Sequence, residues 1–178
     1  MPIYNKKEII EALDKNTNDF NQFVLSLDKE QFENTKDGKW SAGQNLDHLT
    51  LAIKPLQPAY SLPKFVLKVL FGKANQPSRS YEALVEKYNS KLAAGAKASG
   101  RFIPKVVLFN EREKAVKKYN RQKEKLITKI KKQSEEKLDS YILPHPLLGK
   151  ITLREMLFFT IYHNEHHLQI VSKRTNLK

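Results

Sequence analysis

The sequence predicts an all-α protein: a four-helix bundle with short additional helices in its connections. Three observations carry that prediction. Four long segments repeat apolar residues at three- and four-residue steps, the pattern of a helix with one buried face. Three of those segments open on the reciprocal capping-box pattern, in which Asn, Ser or Thr is followed three residues later by Glu or Gln: Asn5/Glu8, Ser41/Gln44 and Thr152/Glu155. No internal repeat and no convincing hairpin is found. Helices with one apolar face must bury it against one another, and a bundle does so. The 178 residues suit one domain over 1–178 with a single core.

The first helix is read from Lys6 to Leu27, with Ile9, Ile10, Leu13, Phe20, Phe23, Val24 and Leu27 on one face. Thr35-Lys36-Asp37-Gly38-Lys39 is a turn. Ser41 then opens the second helix, whose stripe is Leu46, Leu49, Ile53 and Leu56. Pro55 and Pro58 kink or end it, since each lacks an N–H and crowds the preceding turn. A short apolar helix follows over Pro63–Phe71, stopped by Gly72. Ser80 caps a helix carrying Tyr81, Leu84, Val85, Tyr88 and Leu92, which runs into the small-residue loop 95–100. The third long helix is expected from about Phe109 to Lys137, with Val116, Tyr119, Leu126, Ile127 and Ile130 inward and the lysines outward. Residues 141–146 read as extended, and the last helix runs from Leu153 to about Lys173.

Composition narrows the chemistry. Hydrophobic residues make up 40% of the chain, enough to build a core rather than a disordered coil. Cysteine is absent, so disulfides, thiolate nucleophiles and sulfur ligation are excluded, and His, Asp and Glu remain as strong metal ligands. No apolar run is long enough for a membrane span. Met1-Pro2-Ile3-Tyr4-Asn5-Lys6 lacks the apolar centre of a secretory signal, so the expected location is the cytoplasm. The net charge of +13 raises the question of a nucleic-acid partner. The basic residues are spread over helical outer faces without interleaved aromatics, however, so a solvated lysine-rich surface is the favoured reading.

The chemistry is concentrated in the last helix. Its inward seam runs Met156, Thr160, His163, His167, Ile170, in steps of four, three, four and three. His163 and His167 thus fall on core positions, about 6 Å apart along the helix and pointing the same way. Such a pair can grip one metal ion, as i, i+4 histidines do in the zinc-protease helix; the competing reading is a pair of core histidines with separate hydrogen-bond partners. His48 lies beside the stripe of the second helix and joins the pair if the second and last helices pack together. Three neutral imidazoles would leave positions open for water or substrate. His166 is read as outer or surface, His145 as structural, Asp47 as a solvated helix residue, and Trp40 as an anchor at the start of the second helix. Glu165 points away from the seam and is a poor general base.

At Trp40-Ser41, His48-Leu49, His145-Pro146-Leu147-Leu148-Gly149 and His163-Asn164-Glu165-His166-His167-Leu168-Gln169, the sequence resembles the DinB/YfiT-like superfamily of metalloenzymes, over nearly its whole length. The resemblance implies a four-helix bundle with one metal-binding histidine on the second helix and an i, i+4 pair on the last. These correspond to His48, His163 and His167. It also implies zinc or nickel as the ion and frequent homodimers. Some relatives are thiol-dependent S-transferases that use low-molecular-weight thiols, and a related branch includes a thiol-dependent isomerase.

The leading expectation is therefore a divalent-metal enzyme acting on a small-molecule substrate, with a thiol cosubstrate transferred to an electrophile. Metal-dependent hydrolysis at the same site is second, for want of a carboxylate in the seam to serve as general base. A non-catalytic basic binding module is the third. Loop 95–100 with Phe102 is a candidate pocket rim.

Overall fold

The structure, a computed structural model, describes residues 5–175. The segment 1–4, read above for a secretory signal, lies outside the described residues. Helix α1 (Lys6–Ser26) starts on the expected capping box: the Asn5 side chain accepts the Glu8 N–H at 3.0 Å, and the Glu8 carboxylate accepts the Asn5 N–H at 3.1 Å. Ile9, Leu13, Phe20 and Val24 are fully buried along its inner face. The sequence reading did not include α2 (Lys29–Glu33), a single turn with its own Asp28/Gln31 capping box that drives Phe32 into the core. Helix α3 (Ala42–Ile53) opens on Ser41 and Gln44, again reciprocally bonded. It stops two residues before Pro55, and the chain restarts as α4 (Leu56–Ser61) and α5 (Lys64–Leu70). Gly72 ends α5 in the left-handed region, φ 96°, which a side chain would resist.

Helix α6 (Tyr81–Ala93), capped by Ser80, is followed by an irregular stretch that ends at a turn over Phe109–Glu111. Helix α7 runs Arg112–Lys131, and here the expected single helix to Lys137 is corrected. The helix stops and restarts as α8 (Glu135–Ser140). Ser134 accepts the Lys137 N–H at 3.1 Å, and Glu135 and Glu136 follow it in the first turn, where negative charge favours a helix start. The outward-lysine rule also fails at one place. Lys123 is buried, its ammonium 2.5 Å from Asp14 of α1 and 3.2 Å from Asn18.

The expectation of no hairpin is corrected as well. Strands β1 (Ile142–His145) and β2 (Gly149–Thr152) pair antiparallel, with Leu143 opposite Ile151 and His145 opposite Gly149. The connection is Pro146-Leu147-Leu148 followed by Gly149 at φ 76°, the arrangement of a three-residue hairpin loop closed by a left-handed glycine. The His145 Nδ1 accepts the N–H groups of both Leu147 and Leu148 at 3.1 Å, so this side chain ties the loop. Two four-residue strands are too short to show period-two patterning. Helix α9 (Leu153–Thr175) completes the fold on the expected Thr152/Glu155 capping box.

The four long helices α1, α3, α7 and α9 form the bundle. Helix α1 packs against α9 and α7, and α3 packs against the same two from the opposite side. Helix α6 lies against α9. Each large side chain withdrawn from water in the shared core contributes about 1.5–3 kcal/mol. Helices α3 and α9 run antiparallel: Arg174 donates to the Trp40 carbonyl at 2.5 Å, Asn45 faces His167, and beyond α3 the Tyr60 hydroxyl donates to the Leu153 carbonyl. Among the described residues no helix is long and apolar enough to cross a membrane.

Candidate metal centre

Helices α3 and α9 bring His48, His163 and His167 together. Each has 5–6% of its surface exposed. One ligand nitrogen from each lies within 4.8 Å of the other two, so the cluster could hold a metal ion. The closer spacings are 3.2 Å between the Nε2 atoms of His48 and His163 and 3.0 Å between those of His167 and His163. Nitrogen ligands about 2.0–2.1 Å from a tetrahedral ion stand about 3.3 Å apart, so two of the three pairs, those that include His163, are already near coordination spacing.

Hydrogen bonds behind the rings decide what their inner nitrogens offer. The Asn45 amide donates through Nδ2 to the carbonyls of Trp40 and Ser41, at 3.1 and 2.8 Å. Both partners are acceptors, which fixes the amide's orientation and leaves its Oδ1 to accept from His167 Nδ1 at 2.6 Å. His48 Nδ1 donates in the same way to the Phe102 carbonyl at 2.7 Å. With the proton on Nδ1, the Nε2 of both rings carries a lone pair, and both lone pairs face His163. His163 can donate one N–H at most, so one inward lone pair is left over unless a cation sits among them. Second-shell partners of this kind orient metal-ligating histidines.

Electrostatics agree. Burial holds His163 and His167 well below the ordinary histidine range, helped by the neighbouring imidazoles. Burial lowers His48 too, although the Phe102 carbonyl and Asp47 oppose it. All three therefore stay neutral near pH 7, the form that binds metal. Aromatic packing holds the rings in place: Trp40 lies 4.9 Å from His48, centroid to centroid, and Phe159 stacks on His163 at 4.8 Å and 27°.

The triad opens into a cavity of about 670 Å³. Tyr88, Arg101, Phe102 and His145 contribute to its wall, so the expectation of a rim at loop 95–100 and Phe102 holds. No Asp or Glu lines it among the described residues. His166 is half-buried at this wall, its ring 5.4 Å from that of His167. His145 is structural, as expected, through its two loop hydrogen bonds; burial pushes its pKa down to about 4. Glu165 forms no part of the cavity lining, in keeping with its expected position off the seam.

Asp47 requires correction. It is not a solvated helix residue: its carboxylate accepts the Lys105 N–H at 3.0 Å and lies 3.8 Å from the Lys118 ammonium. It ties the segment after Phe102 to α3. The sequence reading missed Asn45 and the Phe102 carbonyl. Asn45 stands three residues before His48, on the same helical face, and that spacing was a usable signal. The Phe102 carbonyl belongs to a loop distant in sequence and had no signal.

No functionally curated protein matches this sequence in a search of such proteins. A family model described as DinB superfamily matches residues 12–171, a span that holds the capping box of α3, the hairpin and all three clustered histidines. With that match over most of its length, and a helical bundle carrying the histidine cluster, the chain belongs to the DinB superfamily.

Proposed function

We propose that the protein is a divalent-metal enzyme in which His48, His163 and His167 are the metal ligands, and that it transfers a low-molecular-weight thiol to an electrophilic small molecule. The observation that carries the reading is the convergence of two fixed Nε2 lone pairs, on His48 and His167, upon His163 at 3.2 and 3.0 Å. Three neutral nitrogen ligands suit zinc or nickel, and three rather than four protein ligands suit an open, catalytic site. A divalent cation held there supplies Lewis acidity that lowers the pKa of a thiol or water in its open position.

The chain's own residues favour a thiol over water as the nucleophile. Water activation is helped by a general base, and among the described residues no carboxylate lines the cavity. A thiol, with an ordinary pKa of about 8.5, gives up its proton far more readily. The sulfur forms its bond to an electrophilic carbon as the leaving group departs with its electron pair, and the thiol proton passes to solvent. Asn45 and the Phe102 carbonyl hold the imidazoles of His167 and His48 in their ligand tautomers, and Phe159 and Met156 give the site an apolar wall. The Tyr88 phenol, pushed up to about 12 by burial, stays protonated and can donate a hydrogen bond beside His163. A single domain, a homodimeric assembly and a cytoplasmic setting belong to the same proposal; the first rests on the chain's length and single core, the second on the family resemblance, and the third on the sequence reading given above.

The test is metal analysis of the purified protein, followed by thiol-conjugation assays with and without a chelator. The expected result is one equivalent of ion, lost in His163→Ala, and conjugation that the chelator abolishes. A stoichiometric ion with no turnover of any thiol overturns the transferase reading. Chelator-sensitive cleavage of esters or amides without thiol would assign hydrolysis instead.

A further inference from the structure

The cavity has two chemically distinct ends. Lys39, Lys97 and Arg101 line it and are exposed. None of the three forms an ion pair among the described residues; Arg101 instead lies 5.1 Å over the Phe102 ring. The guanidinium of Arg174, also in the lining, is spent on the carbonyls of Trp40, Asn34 and Lys36 rather than on an acid. With no Asp or Glu in the wall among the described residues, these cations face no acid of the lining, and the mouth carries net positive charge. The far end is apolar: Leu49, Ile53, Leu56 and Met156 line it, each with 1–7% exposed surface, together with the small side chain of Ala52.

The histidines sit between these ends. The Gly100–Phe102 turn that presents Arg101 also presents the carbonyl bonded to His48, so the mouth cation is close to the triad. Along α9, Met156 lies seven residues from His163, about 10 Å of helix. We infer that the acceptor substrate is an amphipathic anion, with an apolar chain or ring body lying toward Leu56 and Met156 and a carboxylate- or phosphate-type group at Lys97 and Arg101. The inference deepens the proposed thiol chemistry and rests on it only for where the reacting atom sits; the binding preference belongs to the cavity wall itself.

Calorimetry with four ten-carbon probes tests it: decanoate, decyl phosphate, decanol and decylamine, each titrated into the full chain with and without chelator treatment. The two anions are expected to bind in both preparations, decanol at least about tenfold more weakly and decylamine more weakly still. The tighter of the two anions identifies the head group. The double variant K97E/R101E weakens decanoate about tenfold, or about 1.4 kcal/mol, and leaves decanol within about twofold. Ala52→Phe fills the apolar end and weakens all four, with thermal melts confirming that both variants are folded. Decylamine binding as tightly as decanoate, charge reversal without effect, or no binding of any probe would each overturn the inference. Decanoate binding that vanishes with chelation and ignores charge reversal would mean that the ion, not the mouth, reads the anion, and would also overturn it. Failure of thiol conjugation would leave these titrations standing, and their failure would leave the conjugation assay standing.

Discussion

Asn45 is the residue on which the geometry of the triad turns, and replacing it by alanine isolates the effect. The substitution removes the acceptor 2.6 Å from His167 Nδ1, together with two donations that fasten the amide to the Trp40 and Ser41 carbonyls. Without that acceptor, His167 is free to carry its proton on either nitrogen and to turn away from His163. Loss of an outer partner of a metal-ligating histidine typically costs ten- to a hundredfold in metal affinity, about 1.4–2.7 kcal/mol. Stability falls as well. Three hydrogen bonds at a net of about 1 kcal/mol each set the scale at about 3 kcal/mol.

Because the two losses arise together, a second variant must separate them. Ser41→Ala removes the hydroxyl that accepts the Gln44 N–H at 3.2 Å but keeps the backbone carbonyl to which Asn45 donates, and it leaves the Asn45–His167 bond in place. It costs about 0.5–2 kcal/mol as a lost helix cap. The assay is competition for zinc against a chromophoric chelator, at a temperature where circular dichroism shows each variant folded. Asn45→Ala should lose ten- to a hundredfold in affinity, and Ser41→Ala should keep wild-type affinity despite its lower stability. Wild-type affinity in Asn45→Ala, or an equal loss in Ser41→Ala, would refute the argument that this amide sets the tautomer of His167.

Two further outcomes follow from the buried groups. His145, His48, His163, His166 and His167 are all held below the ordinary histidine range by burial. Below pH 6.5 the unfolded chain therefore takes up protons that the folded chain refuses, and stability of chelator-treated protein falls as pH drops. For His145 the window runs from 6.5 down to its folded value of about 4, about 3 kcal/mol in all. His145→Asn retains an acceptor for the loop N–H groups, and should flatten the slope of denaturation free energy against pH by about one proton; an unchanged slope would contradict the assignment. Gly43→Ala tests the close approach at the start of α3. Helix propensity alone favours alanine by about 1 kcal/mol, but the new Cβ would stand 2.8 Å from both the Phe32 ring and the Val107 carbonyl. Overpacking of this kind costs about 1–3 kcal/mol. Urea denaturation should show net destabilisation, and a stabilised variant would mean that the 107 segment yields freely.

Local chemistry was readable wherever it acts within a few residues. The capping boxes at Asn5, Ser41 and Thr152 form as their spacing implies, α3 ends before Pro55 and α5 ends at Gly72. Pro58, expected to kink or end the second helix, instead sits in the first turn of α4, where its missing N–H costs nothing. Legibility failed where two local signals competed. Residues 109–137 carry one continuous apolar periodicity, yet Ser134 with Glu135 and Glu136 makes a second helix start cheaper than extending the first. The hairpin failed for the opposite reason: its ladder is too short to show alternation, and its stability comes from Gly149 and from His145 tying the loop. Lys123 reads as one more exposed lysine, and only its neighbour Asp14, 109 residues away, explains its burial.

By itself the sequence determined that the protein is helical, that His163 and His167 occupy one face of the last helix, and that no cysteine of this chain could serve as a ligand. Those are consequences of helical period and composition, which need no knowledge of neighbours. The tertiary structure decided that α3 lies beside α9 and antiparallel to it, so that His48 meets the pair, and that Asn45 and the Phe102 carbonyl turn the rings' lone pairs inward. A helix fixes the direction of its side chains but not the partner they face. Which helices become neighbours is settled by the packing of the whole core, and a backbone carbonyl leaves no mark in the residue that bears it.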